Sequence, residues 1–182
     1  RAGGLFSRRR VCRFSSMKED QHMTPSAPAK TTAVQPRFLA PTEGEFLNVV
    51  GETNRILADG ASSAGRVLIF EVNSPSGNGP PLHRHSHDDE YFYIISGRYK
   101  FVCDGREFIA DPGAFVCAPK GSVHAFACCA GSPPGRMLVI CTPPGLEGPF
   151  RACHNAGPNM PMDAIVGAFR KFELEFLGPP IK

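Results

Sequence analysis

The stretch GNGPPLHRHSHDDE at residues 77–90 decides the fold of this 182-residue chain. It holds three of the six histidines within five residues and ends in acidic residues. Two histidines at i and i+2 on a strand project to the same face, so His83 and His85 form a natural chelate for a divalent transition metal. Glu90 adds a carboxylate after a short turn, and His124 on a later strand is a fourth candidate ligand.

These four residues fall in two linked motifs with fixed spacing. The first, G-x5-H-x-H-x(3,4)-E-x6-G, is satisfied at every position from Gly77 to Gly97. The second, G-x5-P-x-G-x2-H-x3-N, begins at Gly113 and departs only at its last position, where Cys128 replaces Asn. They are the two cupin motifs, 15 residues apart, and the chain resembles the cupin superfamily.

The spacing also chooses between two histidine pairs. A frame shifted by two begins with Gly79, His85 and His87. Its acid would then have to be Tyr91 or Phe92, so this frame fails. The motif therefore favours His83 and His85 as the pair.

The resemblance implies an all-β fold, the double-stranded β-helix or jelly-roll barrel, with a metal held inside by three histidines and one glutamate. Carried over by position, the metal ligands are His83, His85, Glu90 and His124. This donor set suits Fe, Ni, Co, Mn, Cu or Zn with little preference. The family usually leaves one or two coordination positions open for water, substrate or dioxygen, as metal catalysis requires.

Short β-branched or aromatic runs, broken by turn residues such as Asp104-Gly105, indicate the same fold class. They predict nine strands, at residues 46–50, 54–58, 66–73, 90–96, 98–103, 107–110, 114–118, 124–128 and 136–142. A short C-terminal helix is predicted after Pro161 and Asp163, with an apolar stripe packed on the outside of the barrel. That stripe consists of Ile165, Phe169, Phe172 and Phe176.

Strand alternation predicts which side chains surround the metal. If Glu90 and His124 point inward, the residues of the same parity do so as well. We expect these side chains to form barrel core and an apolar cavity suited to a flat or carbon-rich ligand. The predicted substrate pocket comprises Phe92, Ile94, Tyr99, Phe101, Phe115 and Phe126.

Several neighbouring residues have plainer interpretations. His87 is expected to be solvated or to lie just behind the ligands, and Cys128 to be a small buried hydrophobe. Asp88 and Asp89 are expected at the turn and strand entry, with Asp89 the candidate acceptor for a ligand histidine. Arg84 alternates with the ligands and should face away from the metal.

The resemblance is closest to single-domain cupins of the quercetin 2,3-dioxygenase-like group and covers roughly residues 38–181. It is carried by GPPLHRH at 79–85, Asp89-Glu90, PKGSVHAF at 119–126 and EFLGPP at 175–180. In those enzymes the substrate hydroxyl binds the metal, the glutamate takes its proton, dioxygen cleaves the ring and carbon monoxide leaves. The resemblance therefore implies a metal-dependent dioxygenase for a flavonol-like or enolisable substrate, with Glu90 as the catalytic base.

Two alternatives remain open. A cupin lyase for dimethylsulfoniopropionate would place a catalytic tyrosine near the ligands, whereas the residue two beyond the glutamate is Phe92. A non-enzymatic module that binds a metal or small molecule is the second alternative. Single-domain cupins commonly dimerise, so a homodimer is expected by analogy.

Charge and cysteine usage bound the remaining possibilities. Residues 1–40 carry a net charge of +6 and the rest of the chain −3, so the folded part offers no basic stripe for nucleic acid. Seven cysteines without a C-x-x-C pair indicate free thiols in a reducing compartment, and no apolar run is long enough for a membrane helix. A cytoplasmic protein is expected.

The sequence divides into a disordered basic segment at 1–37 and a cupin domain with its C-terminal helix at 38–182. Residues 1–16 are rich in Arg and Ser and lack acids, as in an organellar transit peptide. The alternatives are vector-derived sequence or read-through before a start at Met17 or Met23.

Overall fold

Eleven strands and two helices make up residues 34–182, the part of the chain that this computed structural model describes. The strands are β1 Glu45–Val49, β2 Glu52–Ala58, β3 Leu68–Ser74, β4 Pro81–His85, β5 Asp89–Ser96, β6 Tyr99–Cys103, β7 Arg106–Ala110, β8 Phe115–Ala118, β9 Val123–Cys128, β10 Gly135–Thr142 and β11 Leu174–Pro180. The helices are α1 Glu147–Ala156 and α2 Met162–Arg170. The predicted disordered segment lies outside the described residues except for residues 34–37, which have no regular secondary structure.

The strands form two antiparallel sheets whose inner faces are apolar. The six-stranded sheet has the order β1-β2-β3-β10-β5-β8, and the five-stranded sheet has the order β11-β4-β9-β6-β7. Burial alternates along strands such as β3 and β10, because each strand presents every second side chain to the interior. The predicted all-β jelly-roll fold is confirmed.

Tight turns set the register of the hairpins. Asp104 and Gly105 both have positive φ angles, 47° and 76°, between β6 and β7. Two successive residues with positive φ characterise the two-residue hairpin turn whose twist matches that of the flanking strands. The predicted Asp-Gly hairpin is therefore present, and it aligns Phe101 with Phe108 across the two strands.

Two strands were absent from the nine predicted runs. β4 carries the paired histidines but is too polar to stand out as an apolar run. β11 pairs with β4, with Phe176 opposite His83, so Phe176 belongs to a strand and not to the predicted helix. The helix ends at Arg170, and Glu173 then takes a positive φ of 60°, which turns the chain into β11. The helical spacing of Phe172 and Phe176 is a coincidence across this turn.

Helix α1 was not predicted, because glycine and proline surround it. Pro149 lies in the first turn of the helix, where no backbone N–H is needed for helical hydrogen bonding. Phe150 of α1 and Phe169 of α2 meet edge-on with ring centroids 5.9 Å apart. The helices thus cover one opening of the barrel. Phe169 of the predicted apolar stripe is buried and lines an internal cavity, so it does not pack on the outer surface of the barrel.

The prediction that Phe115 faces inward is wrong. Along β8 the buried residues are Val116 and Ala118, whereas Phe115 is 63% exposed. β8 lies at the edge of its sheet, and its register with β5 fixes the opposite parity from the one expected. Phe115 stacks on Tyr91 on the outer face, with ring centroids 6.1 Å apart.

The described cysteines are all free thiols, as expected: Cys103, Cys117, Cys128, Cys129, Cys141 and Cys153. Within residues 34–182, no helix has the length and apolar character needed to cross a membrane.

Candidate metal centre

The four predicted ligands come together inside the barrel. His83 and His85 lie on β4, Glu90 near the start of β5 and His124 on β9. β4 and β9 are neighbours, and their register places His83 directly opposite His124. One donor atom from each of the four residues lies within 4.8 Å of the others, and all four side chains are buried. Strand alternation directs both β4 histidines to the same face, as the sequence predicted.

Hydrogen bonds fix which nitrogen each imidazole offers. Nδ1 of His83 donates to the Pro81 carbonyl oxygen at 2.7 Å, and Nδ1 of His124 faces the Ser122 carbonyl oxygen at 3.2 Å. Because a carbonyl oxygen can only accept, Nδ1 carries the proton in both rings. Their Nε2 atoms are therefore free to bind a metal ion, as in protein metal sites where the second ring nitrogen is anchored.

The third imidazole is anchored by a carboxylate. Nδ1 of His85 donates to Oδ2 of Asp88 at 2.9 Å, and Asp88 is only 3% exposed. The prediction that Asp89 is the acceptor is wrong, because Oδ1 of Asp89 instead accepts from the backbone N–H of Lys120. The turn between β4 and β5 directs one acid inward and the other along the surface.

Glu90 is held by Cys141, whose role no motif in the sequence indicates. The Cys141 thiol donates to Oε1 of Glu90 at 3.8 Å, and Cys141 lies opposite Glu90 in the register of β10 with β5. Burial raises the pKa of this thiol well above its usual value, so it remains a donor. Oε2 of Glu90 is left to face the imidazoles.

The donor atoms fit a metal ion. Nε2 of His85 is buried without a hydrogen-bond partner, 3.4 Å from Oε2 of Glu90. Nε2 of His124 lies 3.0 Å from the same oxygen. If Nδ1 holds the only ring proton, these atoms present lone pairs to each other, and either a second proton or a metal cation must lie between them. Three imidazoles and a carboxylate are a common donor set for such an ion.

Electrostatics favour the ligand forms of two of these residues. Burial acts to raise the pKa of Glu90, but the charge of His85 and the hydrogen bond and charge of His124 outweigh it and lower the pKa to about 2. Burial and the two neighbouring imidazoles lower the pKa of His83 to about 3. Glu90 is thus a carboxylate and His83 a neutral imidazole at neutral pH.

The pKa of His85 shifts in the opposite direction from that of His83. Burial acts to lower its pKa, but the charges of Glu90 and Asp88 and the hydrogen bond to Asp88 raise it above the usual value. Metal binding therefore competes with protonation of His85, and metal affinity should fall in acid.

A cavity of about 70 Å³ adjoins the metal centre. Its walls come from the barrel strands and from α1, α2 and β11, which close it from one side. The lining residues are Val49, Val50, Glu52, Asn54, Phe70, Val72, Pro80, Pro81, His83, His85, Glu90, Phe126, Val139, Leu146, Phe150, Phe169, Leu174 and Phe176. Most of them are apolar, and no Lys or Arg is among them.

Only one residue of the predicted substrate pocket lines this cavity, and that residue is Phe126. Phe92, Ile94, Tyr99 and Phe101 point inward but are packed without exposed surface in the core. The wall formed by α1, α2 and β11 was missed because neither α1 nor β11 was predicted. The polar positions on β2, Glu52 and Asn54, could have been found from their shared parity with Ile56.

Three residues near the centre, Arg84, His87 and Cys128, had been predicted to play no part in binding the metal. Arg84 points away from the donors and pairs with Glu175 at 2.6 Å. His87 is exposed and lies in the turn after β4. Cys128 is fully buried, with its thiol near the Ser132 hydroxyl and away from the four donors.

Comparison with known proteins agrees with this geometry. A Cupin domain family matches residues 70–141, a range that contains all four donors. Quercetin 2,3-dioxygenase from Bacillus subtilis (strain 168) is 29% identical over 115 residues, covering 63% of this chain and 33% of that protein. The chain therefore spans about a third of the length of this curated relative.

Solved structures of similar fold include KdgF from Halomonas sp., with a TM-score of 0.54 and 19% identity over 60% of this chain and 94% of that one. The polyketide cyclase RemF from Streptomyces resistomycificus has a TM-score of 0.53 and 23% identity, covering 59% of this chain and 80% of that one. At these identities the likeness concerns the fold. Residues 70–141 thus match a cupin domain, and the two antiparallel sheets and these structural relatives show a cupin-type fold.

Proposed function

We propose that this protein is a metal-dependent dioxygenase that acts on an enolisable or flavonol-like substrate. One observation carries the proposal: three imidazoles and a carboxylate converge beside an apolar cavity, and His83, His85 and Glu90 line its wall. The similarity to a quercetin 2,3-dioxygenase supports the same reaction class. The residues that would hold the metal are His83, His85, Glu90 and His124.

The chain's own residues would bind the substrate, exclude water and accept a proton. A divalent ion bound by the four donors would make a substrate hydroxyl more acidic and assist the reaction of its anion with dioxygen. Glu90 is the carboxylate among the four donors and is ionised at neutral pH, the charge state that a proton acceptor needs, so we assign it as the base. The thiol of Cys141 would hold Oε1 and leave Oε2 facing the imidazoles, where the metal would bind.

The cavity favours a compact substrate. Its volume of about 70 Å³ is well below the ~300–1,000 Å³ typical of pockets that enclose drug-sized ligands. A flavonol would need α1, α2 and β11 to move outward, whereas a small enolisable ketone would need far less displacement. The absence of Lys and Arg from the cavity wall disfavours phosphorylated substrates.

The positions of the tyrosines weigh against a lyase that uses a catalytic tyrosine. The chain has three tyrosines, and the cavity is lined by none of them. Tyr91 stacks on Phe115 outside the barrel, Tyr93 is 47% exposed, and the hydroxyl of Tyr99 is buried in the core.

Two measurements test the proposed reaction. Metal analysis of the purified protein should find about one divalent ion per chain, and protein stripped of metal should lose activity. The metal-loaded protein should then consume dissolved oxygen with quercetin or with 2,4-pentanedione as a compact enolisable diketone. A stably bound metal without oxygen uptake on either compound would favour a non-enzymatic binding module. Release of acrylate from dimethylsulfoniopropionate would favour the lyase.

We also propose that the protein is a homodimer. β8 is an edge strand of the six-stranded sheet, and Phe115 on its outer face is 63% exposed. An edge strand bearing an exposed aromatic side chain is suited to pairing with a second copy. Light scattering should give twice the chain mass, and Phe115→Asp should shift it toward the monomer.

A further inference from the structure

A second carboxyl group lies in the wall of the metal cavity. Glu52 on β2 is only 8% exposed and lines the cavity together with three of the four candidate ligands, His83, His85 and Glu90. Its Oε1 accepts a hydrogen bond from the Ser74 hydroxyl at 2.6 Å. Among the described residues, Oε2 of Glu52 has no hydrogen-bond partner, and Glu52 is not one of the four residues whose donor atoms cluster.

This position is unfavourable for a residue that serves only the fold. Burial of a carboxyl group is costly, and an apolar side chain would fill the site at lower cost. Oε2 of Glu52 is not among the enclosed atoms without a partner, so this oxygen keeps accessible surface at which a ligand can bind. The neighbouring cavity surface is made by apolar side chains such as Phe70 and Val72. Asn54, the next inward residue of β2, adds an amide to the same wall. The cavity wall therefore carries polar residues from two places in the fold, the candidate ligands and the β2 pair Glu52 and Asn54, among apolar side chains.

We propose that Glu52 is a specificity-determining residue that hydrogen-bonds to a second oxygen of the substrate, while the first oxygen binds at the metal centre. This inference rests on the proposed function, because it requires a substrate anchored at the four donors. The substrate class that fits is a compact molecule with an acidic hydroxyl or enol at one end, a hydroxyl or carbonyl at the other, and an apolar body between them.

The charge state of Glu52 suits either kind of second oxygen. Burial, reinforced by the negative charge of Glu90, raises the pKa of Glu52 to about 7 despite the hydrogen bond from Ser74. Near neutral pH the side chain can donate to a substrate carbonyl when protonated and accept from a substrate hydroxyl when ionised.

Binding of a matched ligand series tests the inference without turnover. The probes are two sets of short hydroxamates, which chelate metal ions: CH3-(CH2)n-CONHOH and HO-(CH2)n-CONHOH, with one to four methylenes. Dissociation constants are measured on the full chain loaded with Co²⁺, whose visible spectrum reports chelation. At one chain length, the hydroxyl compound should bind about fivefold tighter than its methyl analogue, the gain expected from one hydrogen bond.

Variants assign that preference to Glu52. Glu52→Leu should abolish the preference while the methyl compounds bind at least as tightly as before. Glu107→Leu, which changes an exposed glutamate on β7, should retain the preference. If Glu52→Leu lowers the thermal midpoint too far for binding studies, Ser74→Ala provides a second variant. It leaves the carboxyl group without its only hydrogen bond and should reduce the preference.

The outcomes separate this inference from the proposed function. Methyl compounds that bind as tightly as hydroxyl compounds at every length would overturn the role of Glu52, as would a preference that survives Glu52→Leu. Failure of every hydroxamate to bind the Co²⁺ protein would also overturn it, because no chain could then extend from the metal to Glu52. Failure of the protein to load Co²⁺ would overturn both the inference and the metal-dependent function. Missing oxygen uptake alongside a Glu52-dependent preference would reject only the dioxygenase reaction.

Discussion

Asp88 holds the ring of His85 in place through a hydrogen bond of 2.9 Å between Oδ2 and Nδ1. Both side chains are almost fully buried, with 3% and 2% of their surface exposed. The pair is formed by residues only three apart, across the turn that joins β4 to β5. Because the anchored nitrogen is Nδ1, Nε2 of His85 is directed at Glu90 and the other imidazoles.

Removing this anchor should weaken metal binding without removing a ligand. For Asp88→Ala we expect metal affinity to fall about 10–100-fold, the usual effect of losing the group behind a ligand histidine. A competition titration against a chromophoric chelator measures the change. Asp89→Asn is the matched control, because Asp89 contacts the backbone of Lys120 and no ligand. Equal affinities for the two variants would contradict the role of Asp88.

Glu90→Gln should separate metal retention from catalysis. The three imidazoles remain, so most of the metal should stay bound, but the amide cannot accept the substrate proton as a carboxylate does. Oxygen consumption should fall about 10²–10⁴-fold, the usual contribution of a general base. His85→Ala is the comparison, since it removes a ligand and should lose the metal itself. Full turnover by Glu90→Gln would exclude Glu90 as the base.

Glu52 should make the metal-free protein less stable as the pH rises. Its pKa is about 7 in the folded protein against an ordinary value of 4.5, so the folded state holds a proton that the unfolded state releases within this window. At pH 4 the wild type and Glu52→Gln should have the same free energy of unfolding. As the pH rises to ~7, that of the wild type should fall relative to Glu52→Gln by about 1.4 kcal/mol per pH unit, roughly 3 kcal/mol in all.

Urea unfolding at a series of pH values measures this difference. Glu107→Gln, at an exposed position of β7, should follow the wild type across the whole range. A constant difference between the wild type and Glu52→Gln from pH 4 to 8 would show that Glu52 titrates normally.

Gly79 precedes β4 at a point where the chain runs against the backbone of β9. A Cβ there would overlap the carbonyl oxygen of Phe126 and lie 2.8 Å from Cα of Ala127. Since neither is a side chain that can rotate away, Gly79→Ala should destabilise the fold by about 2–4 kcal/mol. Gly167→Ala, in open space inside α2, should instead stabilise it by about 0.5–1 kcal/mol. Thermal or urea unfolding of both variants checks the contrast.

The donors could be predicted because their spacing is local and rigid. His83 and His85 are two residues apart on one strand, and the turn before Glu90 is short, so sequence separation determines their geometry. His124 came from a second motif of equally fixed spacing. The jelly-roll class followed from short apolar runs and turn residues, which depend on local backbone preferences.

Features that depend on tertiary contacts were not predictable in the same way. The parity of Phe115 is fixed by the register of β8 with β5, and the strand at Phe176 by its pairing with β4. Glu52 and Cys141 reach the site from β2 and β10, which are distant in sequence from the strands that carry the histidine pair and Glu90. The cavity wall built by α1, α2 and β11 arises from packing that no single segment reveals.

The pairing of β11 with β4 has a consequence for the order of assembly. Residues 174–180 complete the wall beside His83 almost a hundred positions after that histidine is made. During synthesis, His83 and His85 lie on a strand whose β11-facing edge stays unpaired until residues 174–180 leave the ribosome. A metal site sheltered by β11 can therefore form only after residues 174–180 have been synthesised.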